Sequence, residues 1–206
     1  CDRHGTLLIV DEVATGFGRT GRMFACEHED VSPDLMAIAK GMTGGYLPLA
    51  ATLATEEIFS AFLAPTQASR QLFHGHSYSG NALGCAAALA NLEIFETEDV
   101  LGRVARTGAR LATRLEELRA RACVGDIRQR GLIAGIELVR DRATREPFDP
   151  RDRVGHLVCS AMRKHGIILR PLGDTVVVMP PLSVSEAEID AIVDALSACL
   201  REVTGA

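Results

Sequence analysis

Short apolar runs that end in polar or glycine-rich sequence alternate with helical patterns through the first half of the chain. This alternation predicts an α/β fold with a mostly parallel sheet. The predicted strands are Leu7–Val10, Leu35–Ala39 and Leu49–Ala54, and the predicted helices are Glu56–Leu63 and Asn81–Phe95. Because the second of these helices is apolar nearly all round, we expect it to be buried.

The pattern changes near residue 97, where Arg- and Glu-rich sequence has leucines at helical spacing. It predicts an amphipathic surface helix over Thr97–Ala122, and a capping box at Ser185 predicts a last helix that ends near Val203. Between them we predict a loop or hairpin over Arg140–Arg153, a helix over Val154–His165 and strands at Leu132–Val139, Ile167–Leu169 and Val176–Met179. We therefore assign residues 1–96 to part of a larger α/β domain and residues 97–206 to a small α+β domain.

The composition excludes several classes of function. The 206 residues are 47% hydrophobic and carry a net charge of −5 without a basic patch, so we expect neither nucleic acid nor an anionic membrane as a partner. No apolar run is long enough to span a bilayer. The six cysteines are scattered and indicate reduced thiols in the core of a cytoplasmic protein. Because Leu7–Val10 looks like an interior strand so close to Cys1, we expect the chain to be a fragment.

Two of the predicted strands end in a charged residue. Asp11 follows Leu7–Val10, and Lys40 follows Leu35–Ala39. A charge at the tip of a core strand is costly to bury unless it is paired, and ligands bind at strand tips in α/β folds. Pyridoxal phosphate needs both groups, a lysine for its aldehyde and a carboxylate for its ring nitrogen. The alternatives are an aspartate that caps a turn or forms an ion pair and a lysine that simply reaches water.

The segment Gly16–Gly21 has the pattern G-x-G-x-x-G after a predicted strand, as dinucleotide-binding proteins do. That function also requires a helix to begin at the last glycine, and no helical pattern begins at Gly21. A structural loop beside the site is therefore the better interpretation.

The segment before the predicted helix at Asn81 carries further polar candidates. The Ser77 hydroxyl beside unpaired amides at a helix start favours a phosphate, and the alternative is a helix-capping serine. His74 and His76 flank Gly75, but two histidines without a third ligand are weak evidence for a metal, and we predict no metal site.

Arg170 follows a predicted strand and precedes a proline. An arginine at a strand tip can bind a substrate carboxylate with two hydrogen bonds. The alternative is a surface salt bridge.

Together these segments resemble the class III pyridoxal-phosphate aminotransferases. The signature segments are Leu7–Gly21 (LLIVDEVATGFGRTG) and Ala37–Ala50 (AIAKGMTGGYLPLA), and the likeness covers nearly all 206 residues. Within that class, Thr43–Leu49, Arg170–Asp174 and Met179–Pro181 resemble the branch that transaminates 8-amino-7-oxononanoate to 7,8-diaminononanoate in biotin biosynthesis. The resemblance implies the large domain of a type I pyridoxal-phosphate-dependent transferase followed by a small C-terminal domain. It also implies a cytoplasmic homodimer with a shared active site, which takes a small-molecule amino donor and a keto acid.

The resemblance also implies a role for each site residue. Asp11 pairs with the ring nitrogen of pyridoxal phosphate, and Lys40 forms the covalent bond to its aldehyde and relays the proton. His76 and Ser77 bind the phosphate across the dimer interface. The substrate-binding residues are Gly75, which lines the pocket, and Arg170, which holds the carboxylate of the oxononanoate.

The chain departs from the family in two respects. His76-Ser77 replaces a Pro-Thr pair, which keeps the hydroxyl and resembles members thought to take lysine as the amino donor, so the donor is S-adenosylmethionine or lysine. The N-terminal half of the family, which supplies a phosphate loop and the aromatic side chain that stacks on the ring, is absent from the 206 residues. We therefore expect this chain alone to bind the cofactor weakly or not at all.

Three alternative functions stay open on the sequence. The first is another class III enzyme, of the ω-amino acid or ornithine type. The second is a dinucleotide-binding oxidoreductase that uses Gly16–Gly21. The third is a non-catalytic interaction fragment.

Overall fold

The apolar runs of the first hundred residues form a three-stranded sheet in the computed structural model, which describes residues 1–205. The central strand is parallel to one neighbour and antiparallel to the other, so the expected parallel pairing holds for one of the two strand pairs. The strands, in their order across the sheet, are β1 (Ile9–Asp11), β2 (Leu35–Ile38) and β3 (Ala51–Ala54).

Two helices follow this sheet in the first compact unit, Cys1–Val100. They are α1 (Glu56–Ala61) and α2 (Ala82–Thr97). A cluster of buried side chains, Phe17, Met36 and Ile38, forms the core beside the sheet, and Phe95 of α2 packs against it. The unit ends four residues beyond the boundary that we expect at residue 96.

β1 pairs with a neighbour on one side only, and Ile9 is 69% exposed, so one side of the predicted interior strand has no partner within the described chain. The expectation that α2 is buried is wrong. In α2 only Gly84 and Ala88 are buried, whereas Leu83 and Leu89 are 70% and 69% exposed. The apolar composition of both segments is real, but no other element of this unit covers these faces.

The second unit, from Leu101 onward, is built on a four-stranded antiparallel sheet. Its strands, in their order across the sheet, are β4 (Val124–Arg130), β5 (Ile133–Leu138), β7 (Thr175–Val178) and β6 (Arg170–Leu172). Its helices are α3 (Val100–Glu116, which begins at the unit boundary), α4 (Val154–Met162) and α5 (Glu186–Thr204). Leu111, Ile136 and Leu196 are fully buried in its core. This is the α+β arrangement that the sequence predicts.

Local signals set several of these boundaries. The Ser185 hydroxyl accepts a hydrogen bond from the Glu188 amide, and the Glu188 carboxylate accepts one from the Ser185 amide, so the predicted capping box opens α5. The six cysteines are free, as expected for reduced thiols, but Cys1 and Cys85 are exposed. Within residues 1–205, no helix combines the length and apolar character needed to cross a bilayer.

Candidate active site

Asp11 is the last residue of β1 and is exposed. Its carboxylate accepts a hydrogen bond of 3.0 Å from the amide of Val13, which fixes the first turn after the strand. In the β1–β2 pairing Asp11 lies opposite Ala37, and the amide of Glu12 donates to the Ala37 carbonyl at 2.9 Å. The end of β1 is therefore fastened to β2 directly beside the candidate carboxylate.

Lys40 follows β2 by two residues and begins a 3-10 turn, Lys40–Thr43. Its side chain is exposed, and among residues 1–205 no hydrogen bond or ion pair to its amine is found. Because Lys40 lies three residues beyond Ala37, it is roughly 10 Å further along the strand direction than Asp11.

The structure thus brings the two candidate charges to one edge of the sheet. β1 and β2 are neighbouring parallel strands, so their carboxyl ends meet at the same edge, where α/β proteins bind ligands. Both side chains are exposed, and in the described chain no ion pair joins them. An anion and an amine that are open to a ligand suit the two ends of pyridoxal phosphate, so these residues fit the cofactor that the resemblance implies.

Glu12 is a site residue that the sequence analysis did not identify. It is fully buried, and its carboxylate accepts hydrogen bonds from the Thr15 hydroxyl and, at 2.8 Å, from the amide of Cys26. Its own carbonyl accepts from the Gly16 amide at 2.9 Å. Burial by itself raises the pKa of Glu12, but the hydrogen bonds from Thr15, Cys26 and Ala25 outweigh it and hold the pKa below 4.5. Glu12 therefore joins the end of β1 to the loop that follows.

The loop that contains Gly16–Gly21 does not have the geometry that binds a dinucleotide. The chain only bends after Gly21, and the next helical residues, Ala25–Glu29, form a short 3-10 helix. This loop instead places Phe17, which is 5% exposed, against Gly41 in the turn after Lys40. A Cβ on Gly41 would lie 2.8 Å from the Cβ of Phe17, so this contact requires glycine.

Ser77 lies in the turn before α2, and its side chain is exposed. The residue that caps α2 is Asn81, whose Oδ1 accepts a hydrogen bond from the Leu83 amide at 3.0 Å. The alternative role of Ser77 as the helix cap is thereby excluded. Its hydroxyl has no hydrogen-bond partner in the part of the chain that the structure describes, so it is available to a ligand.

The neighbours of Ser77 are held by local contacts. Ser79 Oγ accepts from the amide of His76 at 3.0 Å, and His76 Nδ1 accepts from the amide of Tyr78 at 3.1 Å. A Cβ on Gly75 would make an ordinary contact of 3.4 Å with Ser79 Oγ, so space alone does not demand glycine there. In residues 1–205 no three histidine, cysteine, aspartate or glutamate side chains are grouped as metal ligands.

Arg170 is the first residue of β6 in the second unit, and it is exposed. No ion pair to it is found in the described residues, so the alternative of a surface salt bridge is not realised. The turn after its strand is fixed by Asp174, whose carboxylate accepts a hydrogen bond of 2.8 Å from the Gly155 amide at the start of α4. Asp174 thus caps α4 from a neighbouring hairpin and holds the hairpin that carries Arg170.

Replacing Glu12 with alanine is expected to lower the free energy of unfolding by about 2–4 kcal/mol, because it leaves buried donors without an acceptor. Glu12→Gln keeps an acceptor and should cost less. Urea unfolding of the full-length protein measures both effects. Since folding lowers the pKa of Glu12, its contribution is fully present above pH 4.5 and is lost as the pH falls through the lower folded value. Equal stability of wild type and Glu12→Ala at pH 7 would contradict this role.

Comparison with known proteins gives the chain a family. Residues 1–200 match the family described as aminotransferase class-III. A Geobacter sulfurreducens protein named adenosylmethionine-8-amino-7-oxononanoate aminotransferase is 53% identical over 205 residues, which are 100% of this chain and 45% of that protein. A protein of the same name from Methanocaldococcus jannaschii is 46% identical over 206 residues, 98% of this chain and 45% of that protein.

Solved structures agree with this match. The crystal structure of adenosylmethionine-8-amino-7-oxononanoate aminotransferase from Methanocaldococcus jannaschii superimposes with a TM-score of 0.95 at 45% identity and covers 98% of this chain and 47% of that one. A thermostable (S)-enantioselective omega-transaminase from Thermomicrobium roseum superimposes with a TM-score of 0.90 at 41% identity, covering 98% and 44%. The chain spans about 45% of the length of the curated relatives it matches. Over that span, the chain belongs to the class-III aminotransferase family.

Proposed function

We propose that this chain is part of a pyridoxal-phosphate-dependent aminotransferase that converts 8-amino-7-oxononanoate to 7,8-diaminononanoate in biotin biosynthesis. The observation that carries the proposal is the pair Asp11 and Lys40, exposed and unpaired with each other at the ends of neighbouring parallel strands. The names of the relatives at 46–53% identity support the choice of substrate. When bound, pyridoxal phosphate supplies an aldehyde that receives the amino group and a ring that accepts the electrons of a substrate carbanion.

The residues of this chain hold and orient the reactants. Lys40 Nζ binds the aldehyde and, when it is released, moves a proton to and from the reacting carbon. The Asp11 carboxylate holds a proton at the ring nitrogen. The Ser77 hydroxyl and His76 bind the phosphate of the neighbouring subunit, and Gly75 lines the pocket there.

Arg170 binds the carboxylate of the keto acid through its exposed guanidinium. We further infer a homodimer, since His76 and Ser77 serve the neighbouring subunit in this scheme. The six free cysteines support the cytoplasm as the place where it acts. A monomeric mass of the active full-length protein in solution would contradict this part of the proposal.

Borohydride trapping tests the cofactor and the lysine together. The chain has two lysines, Lys40 and Lys164, and Lys164 is ion-paired to Glu202 at 2.6 Å. We expect reduction of the full-length protein with pyridoxal phosphate to attach the cofactor to the peptide that contains Lys40. Label on Lys164 alone, or no label on either lysine of this chain, would overturn the proposal.

An acceptor assay decides the substrate. With S-adenosylmethionine as the donor, turnover of 8-amino-7-oxononanoate together with weak turnover of simple keto acids is expected. The methyl ester of the same acceptor should be a poor substrate, because it lacks the charge that Arg170 binds. Faster turnover of ω-amino acids or ornithine would instead assign the chain to another class-III activity. The same assay with lysine in place of S-adenosylmethionine decides which of the two is the amino donor, the choice that His76-Ser77 leaves open.

A further inference from the structure

The backbone at Lys40 is held in a conformation that a lysine rarely adopts. Its φ angle is +43°, in the left-handed region where a Cβ crowds the backbone. Residues in such conformations persist only where the surrounding structure holds them, and they cluster at functional sites. The contacts around the turn Lys40–Thr43 therefore show what fixes the candidate lysine.

Asn91 of α2 holds this turn from a distant part of the sequence. Its Nδ2 donates to the carbonyl of Gly41 at 2.9 Å and to the carbonyl of Met42 at 3.3 Å. The partners are separated by 50 and 49 residues. The side-chain amide of Asn91 therefore donates to both residues that follow Lys40.

Two other contacts complete the support of the turn. The Thr43 hydroxyl donates to the carbonyl of Leu47 at 2.6 Å, and Phe17 packs against Gly41. The Thr43 hydrogen bond is local, because it joins the turn to the residues that directly follow it. The Phe17 contact is apolar. Asn91 differs from both because it ties the turn to a helix through polar, directional bonds. It also restricts Gly44, where an added Cβ would lie 3.2 Å from Asn91 Oδ1.

We propose that Asn91 is a positioning residue for Lys40, because its side-chain amide holds the carbonyls of Gly41 and Met42 and so keeps the lysine in its left-handed conformation at the edge of the sheet. This inference rests on the proposed function. Asn91 acts through Lys40 and touches neither cofactor nor substrate in this scheme. Its loss should therefore slow the reaction of Lys40 with the aldehyde more than it weakens binding of the rest of the cofactor.

The test compares two ligands on the cofactor-free, full-length protein. Pyridoxal phosphate reacts with Lys40, and covalent attachment is followed by its visible absorbance. Pyridoxine 5′-phosphate lacks the aldehyde and reports binding alone. The variants are Asn91→Asp, which has the same size but lacks both donors, and Asn91→Ala, which serves if the first does not fold.

In the Asn91 variants we expect attachment to be slowed by about tenfold or more, because a small displacement of a reacting group costs much of its rate. We expect the affinity for pyridoxine 5′-phosphate to stay within about twofold, because the binding groups are unchanged. Ala88→Gly is the matched control, since it weakens the same helix at a buried position and leaves the side-chain amide of Asn91 in place. Its attachment rate should equal that of the wild type.

Three results separate the inference from the proposed function. Attachment at the wild-type rate in both Asn91 variants would overturn the role of Asn91 and leave the proposed function intact. An equal loss of attachment in Ala88→Gly would also overturn it, because the effect would then come from the helix as a whole. If the wild-type protein never attaches pyridoxal phosphate, the proposed function itself fails.

Discussion

Replacing Lys40 with alanine is expected to lower kcat by about 10⁴-fold or more, because in the proposed function this amine both binds the aldehyde and moves the proton. The stability of the folded protein should be nearly unchanged. The Lys40 side chain is exposed and has no hydrogen bond or ion pair within the described chain. Steady-state kinetics with the keto acid, together with thermal unfolding, measure the two effects separately.

Two further variants show which property of the lysine matters. Lys40→Arg keeps the positive charge but stays protonated at any working pH, so it should be as inactive as Lys40→Ala. Lys164→Ala removes the other lysine of the chain, which is bound to Glu202 on the surface, and should keep the wild-type kcat. More than a tenth of wild-type activity in Lys40→Arg, which is about 1.4 kcal/mol of transition-state stabilisation, would mean that charge alone suffices and that Lys40 is not the nucleophile.

The placement of these two charges was predictable from the sequence for a specific reason. Each apolar run is short and ends in one charged residue, and strands of an α/β sheet present their carboxyl ends at a common edge. The register that pairs Asp11 with Ala37 then fixes how far Lys40 lies beyond Asp11 in the strand direction. The alternation of apolar runs with helical patterns predicts parallel strands, and parallel strands bring the residues at their carboxyl ends together.

The burial of the same segments was not predictable in this way. Apolar composition says that a face prefers to leave water, but it does not say which other element covers that face. Leu83 and Leu89 of α2 and Ile9 of β1 are exposed because no element of their unit covers them. The Asp11 and Lys40 side chains are likewise exposed, so a ligand can reach both of them.

Two strands of the second unit, β4 and β6, do not follow from the local pattern of apolar residues. The sequence does not predict β4, because only Val124 and Ile127 of its residues are buried and the charged residues Asp126, Arg128 and Arg130 leave it without an apolar run. β6 begins at Arg170 and contains Pro171, although the apolar run before it was the predicted strand. A proline is tolerated there because β6 is an edge strand, whose free side needs no backbone donor.

The roles of Glu12 and Asn91 do not follow from local sequence, because their hydrogen-bond partners are distant. Glu12 lies in the signature segment, but its carboxylate accepts from the amide of Cys26, fourteen residues away. Asn91 interrupts the apolar stretch 82–92 of α2 and donates to the carbonyls of Gly41 and Met42, which are 50 and 49 residues away. A polar residue in that stretch is the available signal for Asn91, and an acid next to Asp11 is the signal for Glu12.

Replacing Asp11 with asparagine is expected to lower kcat by about 10²–10⁴-fold, with Lys40 still able to bind the aldehyde. The asparagine keeps the size of the side chain and its acceptor oxygen, so the hydrogen bond from the Val13 amide can persist. What it loses is the negative charge that, in the proposed function, holds a proton at the ring nitrogen. Proton removal from the substrate carbon would then be slower, because the bound cofactor would be a weaker electron acceptor.

Asp30→Asn provides the matched control for this change. Asp30 is exposed in the same unit and has a φ angle of +50°, a conformation that asparagine tolerates, so this variant should keep the wild-type kcat. In Asp11→Asn, borohydride should still attach pyridoxal phosphate to Lys40, which separates loss of the charge from loss of the site. A deuterium label on the reacting carbon of the amino donor should slow the variant more than the wild type, because proton removal then limits the rate. If Asp11→Asn keeps the wild-type kcat, Asp11 serves only to turn the chain at the end of β1, and the pairing of this carboxylate with the ring nitrogen is wrong.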